Sequence, residues 1–336
     1  MHIDRQIAEV KALLGLVARQ STALADNVMA VNVDEYTDPA LFARERVELF
    51  RNYPQFVGPS CLLPEPGDYF AFDDTGVPIL LVRNGDGDLK AFLNICSHRG
   101  APLNECQHGK AKKGRMFSCP YHGWSYDLDG RLIGVPFGRE GFPDLERDKL
   151  GLRPLHAAEK NGLIFVMPNP ELDFNIDEVL GGIDEHLAGF GLQDHHYLGA
   201  KQVHTDFSWK LNMDTFHEFY HFEHLHTDSI AQMAYSNLGT YHQYGRNHAM
   251  GSATLSITEL ESISEEDWQP RAYTSHVHYL FPNSVIFVVE DHFQTSRVYP
   301  LSPDRSVVYH SMFLPQAPAR AEQRAESEAC LLYTSP

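Results

Sequence analysis

The chain has 336 residues and is 43% hydrophobic, enough for two domains with separate cores. Its 45 Asp and Glu against 27 Lys and Arg leave a net charge of −18, which argues by repulsion against nucleic acid or an anionic membrane as partner. Met1 to Arg5 lead into an amphipathic pattern that does not resemble a signal peptide, and apolar runs such as 77–82 and 163–167 are too short to cross a bilayer. Five cysteines without a disulfide pattern read as a reducing cytoplasm.

Ile3, Ile7, Val10, Leu14 and Val17 recur at spacings of four and three, which predicts an amphipathic helix over residues 4–25. Asp38-Pro39 signals a second helix, with Leu41, Val47 and Phe50 as its main apolar residues. Both serve packing. From 53 to 168 the texture changes to short apolar runs, 69–72, 77–82, 132–135 and 163–167, punctuated by turns such as Asn84-Gly85-Asp86-Gly87 and Asp129-Gly130. Such runs predict antiparallel hairpins. Pro168-Asn169-Pro170-Glu171 forms a linker, and a helix is expected over 176–190. A strand over 197–204 precedes a long helix from Asp206 or Phe207, then strands over 273–279, 284–291, 296–299 and 306–313. The pattern is α+β, with N-terminal packing helices over 1–52, a small β domain over 53–168 and a strand-rich second domain with one long helix over 169–336.

Two clusters carry chemistry. Cys96-Ser97-His98 and Cys119-Pro120-Tyr121-His122, with twenty residues between them, offer two thiolates and two imidazoles on two predicted loops. That set suits a tetrahedral zinc or a Rieske [2Fe–2S] cluster, in which two His replace two Cys on one iron. The second cluster runs from Trp209-Lys210 to His226, with Asp214, His217, Glu218, His221, Glu223 and His224 between. Within it His217-Glu218-Phe219-Tyr220-His221 satisfies the zinc protease pattern H-E-x-x-H. His224 and Thr227 nevertheless stand where the extended metzincin form needs Gly and His. His217 and His224 also have an ordinary reading as surface or core histidines.

The flanks Asn94-Ile95-Cys96-Ser97-His98-Arg99-Gly100-Ala101-Pro102-Leu103 and Cys119-Pro120-Tyr121-His122-Gly123-Trp124 resemble those of the Rieske non-haem iron oxygenases, in their large (alpha) oxygenase subunits. Trp209-Lys210, Asp214, Glu218, Tyr220-His221 and His226 are similar to the mononuclear iron motif of the same family, although Thr215 stands where Asn is usual. The resemblance covers about residues 42–315. It implies a small antiparallel β Rieske domain and a helix-grip catalytic domain, an antiparallel sheet curved over long helices. It further implies a [2Fe–2S] cluster on Cys96, His98, Cys119 and His122, at roughly −150 to +300 mV. A mononuclear non-haem Fe(II) would lie on His221 and His226 within a 2-His-1-carboxylate triad. Glu218 is implied as the bridging carboxylate to a Rieske His, namely His122, of a neighbouring subunit. A spacing of five puts His221 and His226 about 140° apart on an ideal helix, so the helix should distort or end before His226.

The third ligand is expected on a late helix, yet only 110 residues follow His226. Asp291 falls in a strand pattern and Asp304 in a turn. Glu322, Glu326 and Glu328 begin the expected helix over 320–329, which breaks off before Pro336; the chain reads as C-terminally truncated, with the third carboxylate beyond Pro336. The implied function is the terminal oxygenase of a multicomponent system that uses O₂ and NAD(P)H-derived electrons to hydroxylate or demethylate an aromatic or related small organic substrate. No G-x-G-x-x-G follows a strand, so a separate reductase, with or without a ferredoxin, supplies the electrons. A homotrimer or an α3β3 assembly is implied. The rivals are a Rieske electron carrier without oxygenase activity, a structural zinc protein and a zinc metalloprotease.

Overall fold

The computed structural model describes residues 1–104 and 107–319. They fall into two compact units, residues 44–176 and residues 1–43 with 177 onward. Among the described residues no helix is long and apolar enough to cross a membrane.

The 44–176 unit consists of antiparallel hairpins. One sheet runs, in spatial order, His108–Lys110, Asp68–Phe72, Ile79–Arg83, Leu89–Leu93 and Pro154–Leu155. Met116–Ser118, Ser125–Asp127 and Leu132–Gly134 make a second, and Gln55–Pro59, Leu163–Val166 and Ala157–Lys160 a third. Ile79, Leu80, Leu81 and Val82 are wholly buried, so this strand is apolar on both faces, as its unbroken hydrophobic run requires. Its neighbours close a core in which Cys96, Cys119, Trp124 and Tyr126 pack with Tyr69, Phe92 and Phe117.

The other unit is a seven-stranded antiparallel sheet with helices against it. Its order is His196–Thr205, Arg305–Leu314, Phe293–Ser302, Ser284–Val288, Thr274–Leu280, Asn247–Thr254 and Ala234–Tyr244. The last two strands form a hairpin that sequence reading missed, because the run carries few β-branched residues. The predicted 284–291 strand stops at Val288. The helix expected over 176–190 is two short ones, Ile176–Leu180 and Ile183–Ala188. Gly181 and Gly182 between them adopt φ of 57° and 95°, and a left-handed pair ends a helix.

The N-terminal helix spans Ile3–Arg19, shorter than predicted, and packs on the 234–254 hairpin. Its buried residues are Gln6, Glu9, Val10 and Leu13, whereas Ile3 is 54% exposed. Apolar spacing placed the stripe slightly off because polar partners in the sheet make Glu9 buriable. The Glu9 carboxylate accepts from Thr240 Oγ1 and pairs with His242 Nε2 at 2.9 Å. Beside this pair lie three buried histidines, His186, His276 and His278, with His186 Nδ1 2.9 Å from His278 Nε2.

Burial pushes His186 down to about 3 and His276 to about 4; neighbouring imidazoles lower both further and the Glu9 carboxylate opposes the shift. Unfolded imidazoles bind protons near 6.5, so between about pH 6.5 and 4 the unfolded chain holds more protons and stability falls as pH falls. His242, raised by Glu9, opposes this weakly. Glu9, which is lowered, adds its own loss only below its usual range. Urea denaturation at pH 7 and pH 5 should show a loss of roughly 2–4 kcal/mol, and His276→Phe should flatten that dependence.

Candidate functional site

Each Cys/His pair is held by a loop of the same design. The Gly100 amide donates to Cys96 O at 2.9 Å and the Gly123 amide to Cys119 O at 3.0 Å, with φ of 76° and 72°. A side chain at either glycine would strain this left-handed turn. Ala101 O and Trp124 O accept from the Cys96 and Cys119 amides, both at 2.8 Å. Asn94 braces the first loop: its Oδ1 accepts from the Leu103 and Asn104 amides and its Nδ2 donates to Asn104 O.

These loops bury the sulfurs and leave the imidazoles at the rim. Cys96 and Cys119 are 2% and 4% exposed and within hydrogen-bonding reach of each other. Burial and the neighbouring Cys96 raise the Cys119 thiol, so two thiolates here call for a bound cation. The His98 and His122 rings stand 4.8 Å apart, and His98 stacks on Trp124 at 4.6 Å with 5° between planes. Among the described residues no three His, Cys, Asp or Glu side chains gather round one ion. Donors grouped as a thiol pair and an imidazole pair fit a two-iron cluster better than a single tetrahedral zinc. Tyr126, unflagged by sequence reading, has its hydroxyl 3.2 Å from Cys96 Sγ, to which it would donate once that sulfur is deprotonated as a ligand, and 2.8 Å from Ser97 Oγ. Burial and the Cys96 contact push it up to about 12, so it remains a neutral donor.

The second cluster does not lie on a long helix. A short helix, Trp209–Thr215, is anchored by buried Asn212, whose Nδ2 donates to Thr205 Oγ1 and Ser306 Oγ at 2.8 Å each. The chain then leaves helical geometry until Phe222–Leu225. Glu218 sits in the break. Its carboxylate accepts from the backbone amides of Tyr220 and His221, just ahead of the second helix, a local bond that competes with helix continuation. The same carboxylate meets His221 Nδ1 at 2.5 Å. This contact orients the ring and leaves Nε2 for a metal, the usual work of a carboxylate behind a ligating His.

His226 follows the end of the second helix, as its spacing from His221 required, and the two rings are 5.2 Å apart. Both line an apolar cavity of about 100 Å³ with Phe216, Phe219, Phe222 and Leu225. The H-E-x-x-H reading fails here. His217 turns away to pack edge-on against His248 at 4.8 Å and Tyr279 at 4.6 Å, and without a continuous helix His217 and His221 do not share a face. Two imidazoles backed by Glu218 fit two-thirds of a facial triad. Asp291 lies in an exposed bend bonded to His292, not in a strand, and Asp304 in a turn bonded to Ser302. Neither lines the cavity. Glu322, Glu326 and Glu328 lie outside the described residues.

Comparison with known proteins bears on this pair of sites. Residues 54–146 match the Rieske [2Fe-2S] domain, and residues 192–334 match the catalytic domain of the ring-hydroxylating alpha subunit. The chain is 33% identical over 195 residues to the glycine betaine monooxygenase oxygenase subunit of Chromohalobacter salexigens, covering 58% of this chain and 42% of that protein. It is 25% identical to the anthranilate 1,2-dioxygenase large subunit of Burkholderia cepacia, over 82% of this chain and 72% of that one. A crystal structure of the quaternary ammonium Rieske monooxygenase CntA superposes with a TM-score of 0.76 at 21% identity, over 89% of this chain and 79% of that one. The matches to the first curated relatives span less than half of those proteins' length.

The chain belongs to the Rieske non-haem iron oxygenases, among their large oxygenase subunits. Its folding class is theirs: an antiparallel β Rieske domain and an α+β catalytic domain.

Hydrogen bonds to ligand sulfur stabilise the reduced, more negative cluster. Tyr126→Phe should therefore lower the reduction potential by about 40–100 mV, corresponding to one hydrogen bond of about 1–2 kcal/mol. Protein-film voltammetry of the reconstituted chain measures it.

Proposed function

We propose that this chain is the terminal oxygenase component of a multicomponent Rieske system, acting on a small organic substrate with O₂ and reductase-derived electrons. The observation that carries the proposal is the coexistence of a thiol pair and an imidazole pair on two matched loops with a second imidazole pair, backed by a carboxylate, on the wall of an apolar cavity. Cys96 and Cys119 would hold the buried iron of a [2Fe–2S] cluster and His98 and His122 the outer one. His221 and His226 would hold a mononuclear Fe(II), which, with the cluster, supplies one-electron transfer and O₂ activation when bound.

The protein's own contribution is placement. The buried sulfurs exclude water from one side of the cluster, and the imidazole rim leaves the other side open to an electron-transfer partner. Glu218 fixes the His221 ring through Nδ1. With its remaining lone pairs it is suited to accept from a Rieske imidazole, which we assign to His122 of a neighbouring copy in a homotrimer or α3β3 assembly. The aromatic cavity wall keeps bulk water from the reacting carbon. A reductase, with or without a ferredoxin, is the expected donor. A reducing, cytoplasmic setting is the expected one, since ligand thiols such as Cys96 and Cys119 must stay reduced to hold a cluster.

The test is visible absorption, EPR and iron and sulfide analysis of chain reconstituted anaerobically. A brown protein with acid-labile sulfide and a reduced signal of low average g supports the reading; a colourless, iron-free protein overturns it. If the protein were only an electron carrier, reduced protein would consume no O₂ and iron would stop at two per chain.

Glu218→Gln should leave the cluster spectrum unchanged. It should slow single-turnover oxidation of the reduced cluster by about 10–100-fold, the range for a carboxylate that orients a metal ligand. Stopped-flow absorbance reads that rate, and an unchanged rate would remove Glu218 from the electron path.

A further inference from the structure

The floor of the cavity carries a polar group without a partner. Val277, Val285, Phe287, Gln294, Ser296 and His310 all line it, and strand register explains why these six. Val277 pairs with Phe287 and Phe287 with Gln294, while Val285 pairs with Ser296 and Ser296 with His310. Cross-strand partners share a face, so four neighbouring strands present one continuous surface to the cavity. The roof, from Phe216 to Ile230, carries His221 and His226.

On that floor His310 is 1% exposed, and its Nδ1 lies 2.8 Å from Ser296 Oγ, its directly opposite neighbour. Its Nε2 is buried with no hydrogen-bond partner among the described residues. A buried polar atom without a partner is costly unless something arrives to satisfy it. The Ser296 contact fixes the ring in its plane in either tautomer. If Ser296 donates to Nδ1, Nε2 carries the proton and donates; if Nδ1 donates to Ser296, Nε2 accepts. A hydroxyl, which does both, completes either arrangement. Among the described residues no Lys or Arg lines this cavity, so nothing there matches a substrate carboxylate. Burial holds the ring low, at about 4, so it meets the substrate uncharged at neutral pH.

We propose that His310, positioned by Ser296, is the specificity-determining residue of this cavity, and that the substrate is a compact apolar or aromatic body bearing one uncharged hydrogen-bonding group that bonds His310 Nε2. This deepens the oxygenase reading and rests on it. The polar group sits on the sheet floor, and the apolar body spans toward His221 and His226 on the roof. A zwitterionic quaternary amine, such as the name of the glycine betaine relative implies for that protein, has no uncharged hydrogen-bonding group to offer His310 Nε2.

The test is a binding measurement on the full chain, independent of iron and turnover. Calorimetry compares benzyl alcohol with ethylbenzene, a near-isostere lacking the hydroxyl, and with glycine betaine. The chain should bind benzyl alcohol about tenfold more tightly than ethylbenzene, the discrimination expected when an analogue leaves one buried polar group unpaired. In His310→Leu the ratio should fall to about one, through loss of benzyl alcohol affinity alone. His310→Gln, which keeps a hydrogen-bonding group, should restore part of it, and Ser296→Ala should reduce it by a few-fold. Equal binding of the two probes by the unaltered chain, parallel loss of both in His310→Leu, tightest binding of glycine betaine, or no binding of either aromatic probe would each overturn the proposal. Thermal melts identify a variant that fails to fold, in which case the ratio in Ser296→Ala and His310→Gln decides. Failure of the oxygenase reading shows separately, as a protein that takes up no cluster.

Discussion

One carboxylate, Glu218, sets the geometry of the catalytic half. By accepting the amides of Tyr220 and His221 it competes with helical continuation between the two short helices. That change of direction lets two histidines five residues apart meet at 5.2 Å, which a straight helix forbids. The same side chain fixes His221 through Nδ1. Backbone direction and ligand orientation thus depend on one group, so substitution there tests both at once. His217 illustrates the consequence: once the helix breaks, it packs with His248 and Tyr279 and leaves the metal side.

The two candidate metal regions are built in different ways. Two thiols buried side by side are unfavourable as thiolates without a cation, so the sulfur pair would serve as a ligand set only with a bound cation. Rigid loops closed by Gly100 and Gly123, and a core containing Trp124 and Tyr126, hold that set in place. The second site relies instead on sheet register. Strand pairing places Ser296 opposite His310 and carries the apolar floor across four strands, so the cavity is shaped by residues far from the histidines in sequence. At the other end of the sheet, Glu9 ties the N-terminal helix to Thr240 and His242, beside an apolar cluster of Val10 and Leu13 with Leu238, Ile257 and Leu260.

Much of the candidate site could be read before any coordinates. Cys96, His98, Cys119 and His122 are local in pairs, each within four residues, and local spacing survives folding because a tight loop allows few arrangements. His221 and His226 were legible for the same reason, and their awkward spacing already required a broken helix. Less legible was the continuous helix expected from Asp206 or Phe207. Its ligand-rich sequence has helical spacing, and nothing in that spacing shows a carboxylate turning back to its own backbone. The 176–190 helix failed similarly, although Gly181-Gly182 was a visible signal. Ser296, His310, Tyr126 and Glu9 were not legible as functional or buried polar residues at all. Each matters through a partner at least 14 residues away.

The sequence by itself determined the chemistry on offer: which donors exist, their pairing within loops, and the β-then-α+β order of the chain. Those properties follow from short-range sterics and side-chain type. Tertiary structure alone decided which donors face one another, which carboxylate is buried, which histidine is left with an unsatisfied nitrogen and which is consumed in packing. The physical reason is that strand register and burial are collective. A residue's protonation, hydrogen bonding and access to substrate are fixed by neighbours brought together only when the whole sheet forms.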